Sequence, residues 1–256
     1  MIRALFRLAF LAGAAFVCSL LLPARAEKKS GNRATVESRV KEFGNAARGR
    51  WSPRFQSAGV SYPPGALLFL GLKQERRLEV WARDDVGQPW SFIASFPILA
   101  ASGGLGPKLA EGDRQVPEGF YRIESLNPNS RYHLSLRINY PNEHDRRQAR
   151  LAGRTNLGGD IMIHGKAVSV GCLAMGDEVA EDLFVIAAAS GLEKIEVLLS
   201  PVDFRVEPTW RPDDEIPDWV DQLYDKLTAE LLALPPKPSE SDGKKLEGDS
   251  HGLSAE

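Results

Sequence analysis

Short apolar runs separated by polar breaks predict most of the secondary structure in the middle of the chain. Apolar or alternating runs bounded by glycine, proline or polar clusters are typical of β-strands. The predicted strands are residues 66–72, 78–82, 90–97, 120–125, 132–138, 160–164 and 195–199. Residues 127–129 have a proline between two asparagines and predict a turn.

Apolar residues at three- and four-residue steps predict helices in three places. The residues with this spacing are Val36, Val40, Phe43 and Ala47 in residues 35–48; Val179, Leu183 and Ile186 after residue 177; and Trp219, Leu223, Leu227 and Leu231 near the C-terminus. Asp177 is the predicted N-cap of the second helix, and Gly191 is predicted to end it. Many strands with few helices indicate an α+β, mostly β domain with a few packing helices.

The first residues have the pattern of a leader for export. Residues 1–26 carry Arg3 and Arg7, then an apolar run, and close on an Ala-x-Ala cleavage site at residues 24–26. The run is too short to favour a permanent membrane span, so we expect a cleaved signal peptide and a periplasmic mature protein. Cys18 lies in this segment and is expected to leave with it rather than to carry a lipid.

Composition divides the rest of the chain into four parts. The expected organisation is residues 1–26 as signal peptide, 27–60 as N-terminal helix and lead-in, 61–206 as a central domain, 207–234 as a C-terminal amphipathic helix, and 235–256 as a disordered tail rich in proline, serine and charge. The net charge is −2, with basic residues scattered, so nucleic-acid binding is not expected. The long segment 103–119 is either a functional loop or structured surface.

Cys172 is the cysteine expected to remain after cleavage, and His164 stands eight residues before it. A lone thiol near an imidazole in an exported chain is typical of a cysteine acyl-transfer enzyme. The imidazole is expected to lower the thiol pKa. Gly171 permits a tight turn before the thiol, and the backbone N–H groups of Gly171 and Cys172 are candidate oxyanion donors.

The same residues are compatible with other chemistries. Cys172 and His164 are alternatively a buried structural thiol and a structural histidine. His133, His144, His164 and Asp160 are the candidates for a zinc site, but no His-Glu-x-x-His motif or cysteine pair supports one. We therefore predict no metal and no cofactor. A serine triad is disfavoured because the Gly-x-Ser-x-Gly elbow is missing.

Several longer segments resemble the L,D-transpeptidase (YkuD-type) catalytic domain family, and within it the YafK-like branch. These segments are Tyr62-Pro63-Pro64, residues 96–123, residues 126–145, the pentapeptide IMIHG at 161–165, and SVGCLAM at 169–175. The resemblance implies a mostly β fold with the cysteine on a loop next to a helix. It also implies Cys172 as nucleophile, His164 as general base, and a Gly165 carbonyl that orients the imidazole.

The resemblance further implies a substrate class. The enzyme would act on peptidoglycan stem peptides at meso-diaminopimelate and pass the acyl group to an amine, as a transpeptidase, or to water, as an amidase. The branch is associated with releasing a lipoprotein tethered to the wall. Arg137 is a candidate for binding a stem carboxylate. Val170 stands where the broad family has a histidine. The alternatives are a non-catalytic wall-binding module and a redox sensor.

Overall fold

The computed structural model describes residues 33–212 and 215–238. The predicted signal peptide, with Cys18, lies outside the described residues. So does the predicted tail from residue 239 onward.

Strands outnumber helices in the described residues, which confirms the α+β, mostly β prediction. The helices are α1 (Val36–Ser57), α2 (Glu143–Leu151), α3 (Asp177–Ser190) and α4 (Trp219–Ala233). The strands are β1 (Ala66–Leu72), β2 (Arg77–Arg83), β3 (Ser91–Pro97), β4 (Ala100–Ala101), β5 (Gly119–Ser130), β6 (His133–Ile138), β7 (Met162–His164), β8 (Leu173–Ala174) and β9 (Ile195–Ser200). Among the described helices, none has the length and apolar character needed to cross a membrane.

All nine of these strands join one sheet in the order β3-β2-β1-β9-β5-β6-β7-β8-β4. The pairings β1–β9 and β7–β8 are parallel, and the others are antiparallel. α3 connects β8 to β9, which lies at the centre of the sheet beside β1. The hairpin β5–β6 leads from this centre to the short strands β7, β8 and β4.

Strand β1 is buried along its whole length because helices cover both faces of the sheet. Leu67 and Phe69 belong to the cluster that contains Trp51 of α1 and Leu183 of α3. The alternate residues Leu68, Leu70 and Leu72 belong to a second cluster, which contains Leu223, Leu227 and Leu231 of α4. A strand with two buried faces has no need of polar alternation, and this accounts for the continuous apolar run at residues 66–72.

Four local predictions were wrong in their bounds or type. The first helix extends beyond residue 48 to Ser57, since Trp51 and Phe55 continue its buried face. The predicted turn at residues 127–129 lies inside β5, where the pairing with β6 shifts register between Asn127 and Ser130. The strand predicted from Asp160 begins at Met162, because Asp160 has a positive φ of 55°. Gly176, and not Asp177, is the N-cap residue of α3.

Candidate active site

The paired strands β7 and β8 place the predicted base and nucleophile on adjacent segments. In the parallel β7–β8 pair, Ile163 lies opposite Leu173 and His164 lies opposite Ala174. Cys172 directly precedes β8, two residues before Ala174. Cys172 therefore lies next to the strand that ends in His164, with its Sγ 3.6 Å from the Asp160 carbonyl oxygen.

The His164 side chain is held in one tautomer. Its Nδ1 lies 2.6 Å from the carbonyl oxygen of Gly165. A carbonyl can only accept a hydrogen bond, so Nδ1 carries the proton and Nε2 keeps its lone pair. Burial lowers the pKa of His164, and the Gly165 carbonyl opposes that effect. The imidazole is therefore a neutral base with Nε2 open to accept a proton.

Tyr132 covers this imidazole and was not among the sequence-predicted site residues. The two ring centroids are 4.6 Å apart with an interplanar angle of 31°. Tyr132 lies just before β6, after the irregular end of β5, and it remains 41% exposed. The predicted strand 132–138 included it, but strand alternation could not place it over His164, because the residue stands in a turn.

Gly165 must be glycine for steric reasons. A Cβ there would lie 2.6 Å from Asp177 Oδ1 and 2.7 Å from the Tyr132 carbonyl oxygen, both too close for a real contact. Asp177 also accepts a hydrogen bond from the Lys166 backbone N–H at 2.8 Å, and its other oxygen pairs with Lys166 Nζ at 2.9 Å. The carboxylate predicted to cap α3 thus closes the loop that follows the histidine.

The Cys172 thiol is half-buried and lies against a backbone carbonyl. Its Sγ lies 3.6 Å from the Asp160 carbonyl oxygen. Burial raises the pKa of Cys172, and the Asp160 carboxylate adds to that rise, while the Met162 N–H and Lys108 oppose it. The expectation of a thiol pKa below the ordinary range was therefore wrong for this state.

A tight turn presents the thiol. Gly171 has φ of 85°, in the left-handed region that side chains resist, as expected from its glycine. The Ser169 hydroxyl closes the turn by accepting from the Cys172 N–H at 3.0 Å and donating to the Cys172 carbonyl at 2.6 Å. The Gly171 N–H donates to Ser102 Oγ at 2.5 Å. Ser102 therefore occupies the Gly171 N–H in this conformation, and the role of Gly171 as an oxyanion donor stays a prediction.

Comparison with known proteins identifies the family. Residues 70–197 match YkuD, the L,D-transpeptidase catalytic domain. The chain belongs to the YkuD L,D-transpeptidase family. This match covers half of the chain and includes both His164 and Cys172.

Two curated relatives of this YkuD-family chain are similar to it over about half of their own length. It is 34% identical over 134 residues to "Putative L,D-transpeptidase YafK" of Escherichia coli strain K12, and equally to the protein of that name in strain O157:H7. These matches cover 50% of this chain and 51% of the relatives. The chain therefore spans about half the length of the curated relatives it matches.

Solved structures of the family are more distant. The cell-shape-determining protein Pgp2 from Campylobacter jejuni has a TM-score of 0.44 at 22% identity, over 62% of this chain and 52% of Pgp2. L,D-transpeptidase 1 from Mycobacterium tuberculosis has a TM-score of 0.31 at 16% identity, over 53% of this chain and 62% of that protein.

Arg137 lies beside the YkuD-type site rather than in it. On β6 it stands opposite Met162, and its guanidinium lies 2.8 Å from a Glu124 oxygen and 2.5 Å from an Asp160 oxygen. It also lines an open cleft of about 1080 Å³ between β5, β6, α2 and the Gly158–Gly159 segment. Arg137 therefore borders the cleft and, through Asp160, the surroundings of Cys172.

The other histidines considered for a metal site lie elsewhere. His133 Nε2 is 2.7 Å from Glu181, and its ring packs edge-on against Phe43. His144 packs edge-on against Trp219 of α4. Within residues 33–212 and 215–238, no group of three His, Cys, Asp or Glu side chains converges in a way that could hold a metal ion.

Proposed function

We propose that this protein is an exported cysteine acyl-transfer enzyme that acts on peptidoglycan stem peptides at meso-diaminopimelate. Cys172 is the nucleophile and His164 the general base. The main support is the His164–Gly165 contact, because it leaves Nε2 unprotonated on the strand that pairs with the one following Cys172. Membership of the YkuD family supports the substrate class.

The neutral resting pair supports a concerted first step. Burial disfavours both the thiolate and the imidazolium, so the proton moves from Sγ to His164 Nε2 as Sγ attacks the substrate carbonyl. The imidazolium then gives this proton to the leaving amine as the C–N bond breaks, which leaves a thioester on Cys172. His164 finally takes a proton from the acceptor as the acceptor attacks the thioester, and it returns that proton to the sulfur as the C–S bond breaks.

Water is the acceptor that the site favours. Val170, which replaces the family histidine, is 71% exposed and apolar. Leu173, Ala174 and Met175 stand where the resemblance implies an arginine or asparagine soon after the cysteine, and all three are buried and apolar. The nucleophile and base are unaffected by these replacements, so acylation is retained while amine binding is weakened. We therefore propose amidase activity, including release of lipoprotein linked to diaminopimelate, ahead of crosslinking.

Arg137 is proposed to bind a stem carboxylate. Its guanidinium is partly exposed and faces the cleft, and its present partners Glu124 and Asp160 are themselves exposed carboxylates. A substrate carboxylate would replace one of them with little loss of charge pairing. Arg137→Gln should raise KM for stem peptides and leave kcat within about threefold, the signature of lost ground-state binding.

Mass analysis of digested sacculi tests the activity. Sacculi with and without bound lipoprotein are incubated with the native enzyme and with Cys172→Ala. Hydrolysed stems and released lipoprotein are the expected products. Digests dominated by new diaminopimelate–diaminopimelate crosslinks would replace the amidase by a transpeptidase. Sacculus binding by both proteins without any product would instead indicate a wall-binding module. A mature N-terminus at Glu27 would support export.

A further inference from the structure

We propose that Ser102 is a positioning residue for Cys172 and acts through the backbone N–H of Gly171. The inference rests on the proposed function only in taking Cys172 as nucleophile and His164 as base. The Gly171 N–H donates to Ser102 Oγ at 2.5 Å, and the Ser102 hydroxyl donates to the Arg114 carbonyl at 2.8 Å. One hydroxyl thus joins the thiol turn to the loop between β4 and β5.

Ser102 and Ser169 hold the thiol turn in different ways. Ser169 bonds to both the N–H and the carbonyl of Cys172, within the same turn. These bonds move with the turn and cannot orient it relative to the histidine. Ser102 comes from 69 positions earlier in the chain. Its bond therefore ties the turn to a distant segment, in addition to the strand pairing that begins at Leu173.

The Ser102 side of this contact is rigid. Residues Ala100–Ala101 of β4 pair with Leu173–Ala174 of β8, and the Leu99 N–H donates to the Ala174 carbonyl. The Asp113 carboxylate accepts from the backbone N–H groups of Leu109, Ala110 and Gln115, and from Lys108 Nζ. Ser102 therefore lies between a strand pair and a tightly bonded loop.

The far end of the same loop is held in the interior. Glu118 is fully buried and accepts from Lys73 Nζ at 2.8 Å, the Gly106 N–H at 2.8 Å and the Tyr224 hydroxyl of α4 at 2.6 Å. The loop 102–118 thus has a fixed anchor at each end. The core fixes the position of this loop, and the hydrogen bond from the Gly171 N–H to Ser102 Oγ connects the loop to the thiol turn.

Gly171 is the residue that most needs this tether. Glycine samples more backbone conformations than any other residue, so the turn before the thiol is the flexible element of the site. Fixing its N–H selects the conformation with φ of 85°. Without the Ser102 bond the turn would sample more conformations. Cys172 would then reach the orientation needed for proton transfer to His164 for a smaller fraction of the time, and attack would slow with little change in substrate binding.

The dependence of thiol alkylation on His164 tests this inference without any substrate. Iodoacetamide labelling of Cys172 is followed against pH in four folded proteins: native, His164→Ala, Ser102→Ala and the double variant. The native protein should show imidazole-assisted labelling that His164→Ala slows. The slowing factor is the ratio of the labelling rate with His164 to the rate with His164→Ala. If Ser102 aligns Cys172 with His164, this factor should be about fivefold smaller in the Ser102→Ala background, as expected for loss of one hydrogen bond.

The controls separate positioning from a merely structural role. Ser95→Ala, at an exposed position of β3, should leave the slowing factor unchanged. Ser102→Thr retains the hydroxyl and should restore the native factor. Ser102→Val matches threonine in shape and should not, and this pair serves if Ser102→Ala fails to fold.

An equal slowing factor with and without the Ser102 hydroxyl would overturn the inference. So would native labelling that does not depend on His164, because there would then be no alignment to hold. Native labelling that does depend on His164, combined with no turnover of stem peptides, would refute the proposed function and leave the role of Ser102 standing.

Discussion

The two parts of the sheet are built by different means. Strands β1, β2 and β9 have six or seven residues each and pair in long, regular registers. Strands β7, β8 and β4 have three, two and two residues. The long strands are held by backbone ladders and apolar burial, whereas the site is held by bonds between side chains and backbone. A framework can therefore be rigid while the residues around the thiol take conformations that no ladder would allow.

Backbone conformations around β7 show the consequence. Asp160 and Lys166, on either side of this strand, have φ of 55° and 61°. Such values are uncommon for residues with a Cβ and persist where neighbours hold them. Lys166 is held by two bonds to Asp177, and Asp160 is held by Arg137. The strained positions thus lie beside the imidazole and the thiol.

Replacing Cys172, the proposed nucleophile, should abolish most of the activity and leave the stability of the fold unchanged. Cys172→Ala should lower turnover of stem peptides by at least about three orders of magnitude, because the covalent step is lost. Its melting temperature should stay close to that of the native protein, since the half-buried thiol makes few contacts. Activity assays and calorimetry measure the two effects. Residual turnover near the native rate would assign the chemistry to another residue.

Replacing Lys73 should strongly destabilise the fold. Its ammonium is almost fully buried and bonds to Glu118 and to the carbonyls of Gly106 and Val116. Lys73→Ala should lower the free energy of unfolding by about 3–5 kcal/mol, because it leaves the Glu118 carboxylate buried without its cation.

The matched control for Lys73 is an exposed ion pair. Glu42→Ala removes the pair with Arg39 on the surface of α1 and should cost at most about 1 kcal/mol. Urea unfolding measures both variants. Equal losses of unfolding free energy in Lys73→Ala and Glu42→Ala would contradict a stabilising role for the buried Lys73–Glu118 pair.

The pH dependence of activity should show whether Tyr132 shields the His164 imidazole from water. Burial holds the pKa of His164 below its ordinary 6.5, so the neutral base persists as pH falls and is lost only below that value. Tyr132→Ala should expose the ring and move the acid limb of kcat/KM upward, toward 6.5. Tyr132→Phe keeps the stacked ring and should leave the limb in place. An unchanged limb in both variants would refute shielding by Tyr132.

The smallest effect is expected where the tail meets the framework. Lys237 Nζ lies 2.9 Å from Oε1 of Glu79, a fully buried carboxylate that also contacts Arg77 and Arg205. Truncation after Leu234 should therefore cost up to about 1 kcal/mol, since two arginines still neutralise Glu79. Truncation after Pro238 keeps Lys237 and should cost nothing measurable in urea unfolding. Equal stability of the two truncations would show that the Lys237 contact contributes nothing.

Much of the fold could be predicted from the chain alone. The strand predicted at residues 66–72 is confirmed without change, and Gly191 ends α3 as expected. A continuous apolar run and a helix-ending glycine are local signals of a few residues, so the order of the residues is enough to predict them. The turn predicted at 127–129 was wrong because β5 continues to Ser130, with pairing to β6 on either side of Pro128 and Asn129. Pairing with the next strand of the hairpin overrode the turn preference of these residues.

The residue types and spacing of the sequence determined the mostly β class, the family and the choice of Cys172 and His164 as the candidate pair. Only the tertiary structure decided that Tyr132 covers the imidazole, that Ser102 occupies the Gly171 N–H, and that burial raises rather than lowers the thiol pKa. Each of these depends on which distant segment lies beside the site and on how much water it excludes. The burial of a group and its hydrogen-bond partners depend on how the whole chain folds, and the residue spacing near Cys172 does not specify them.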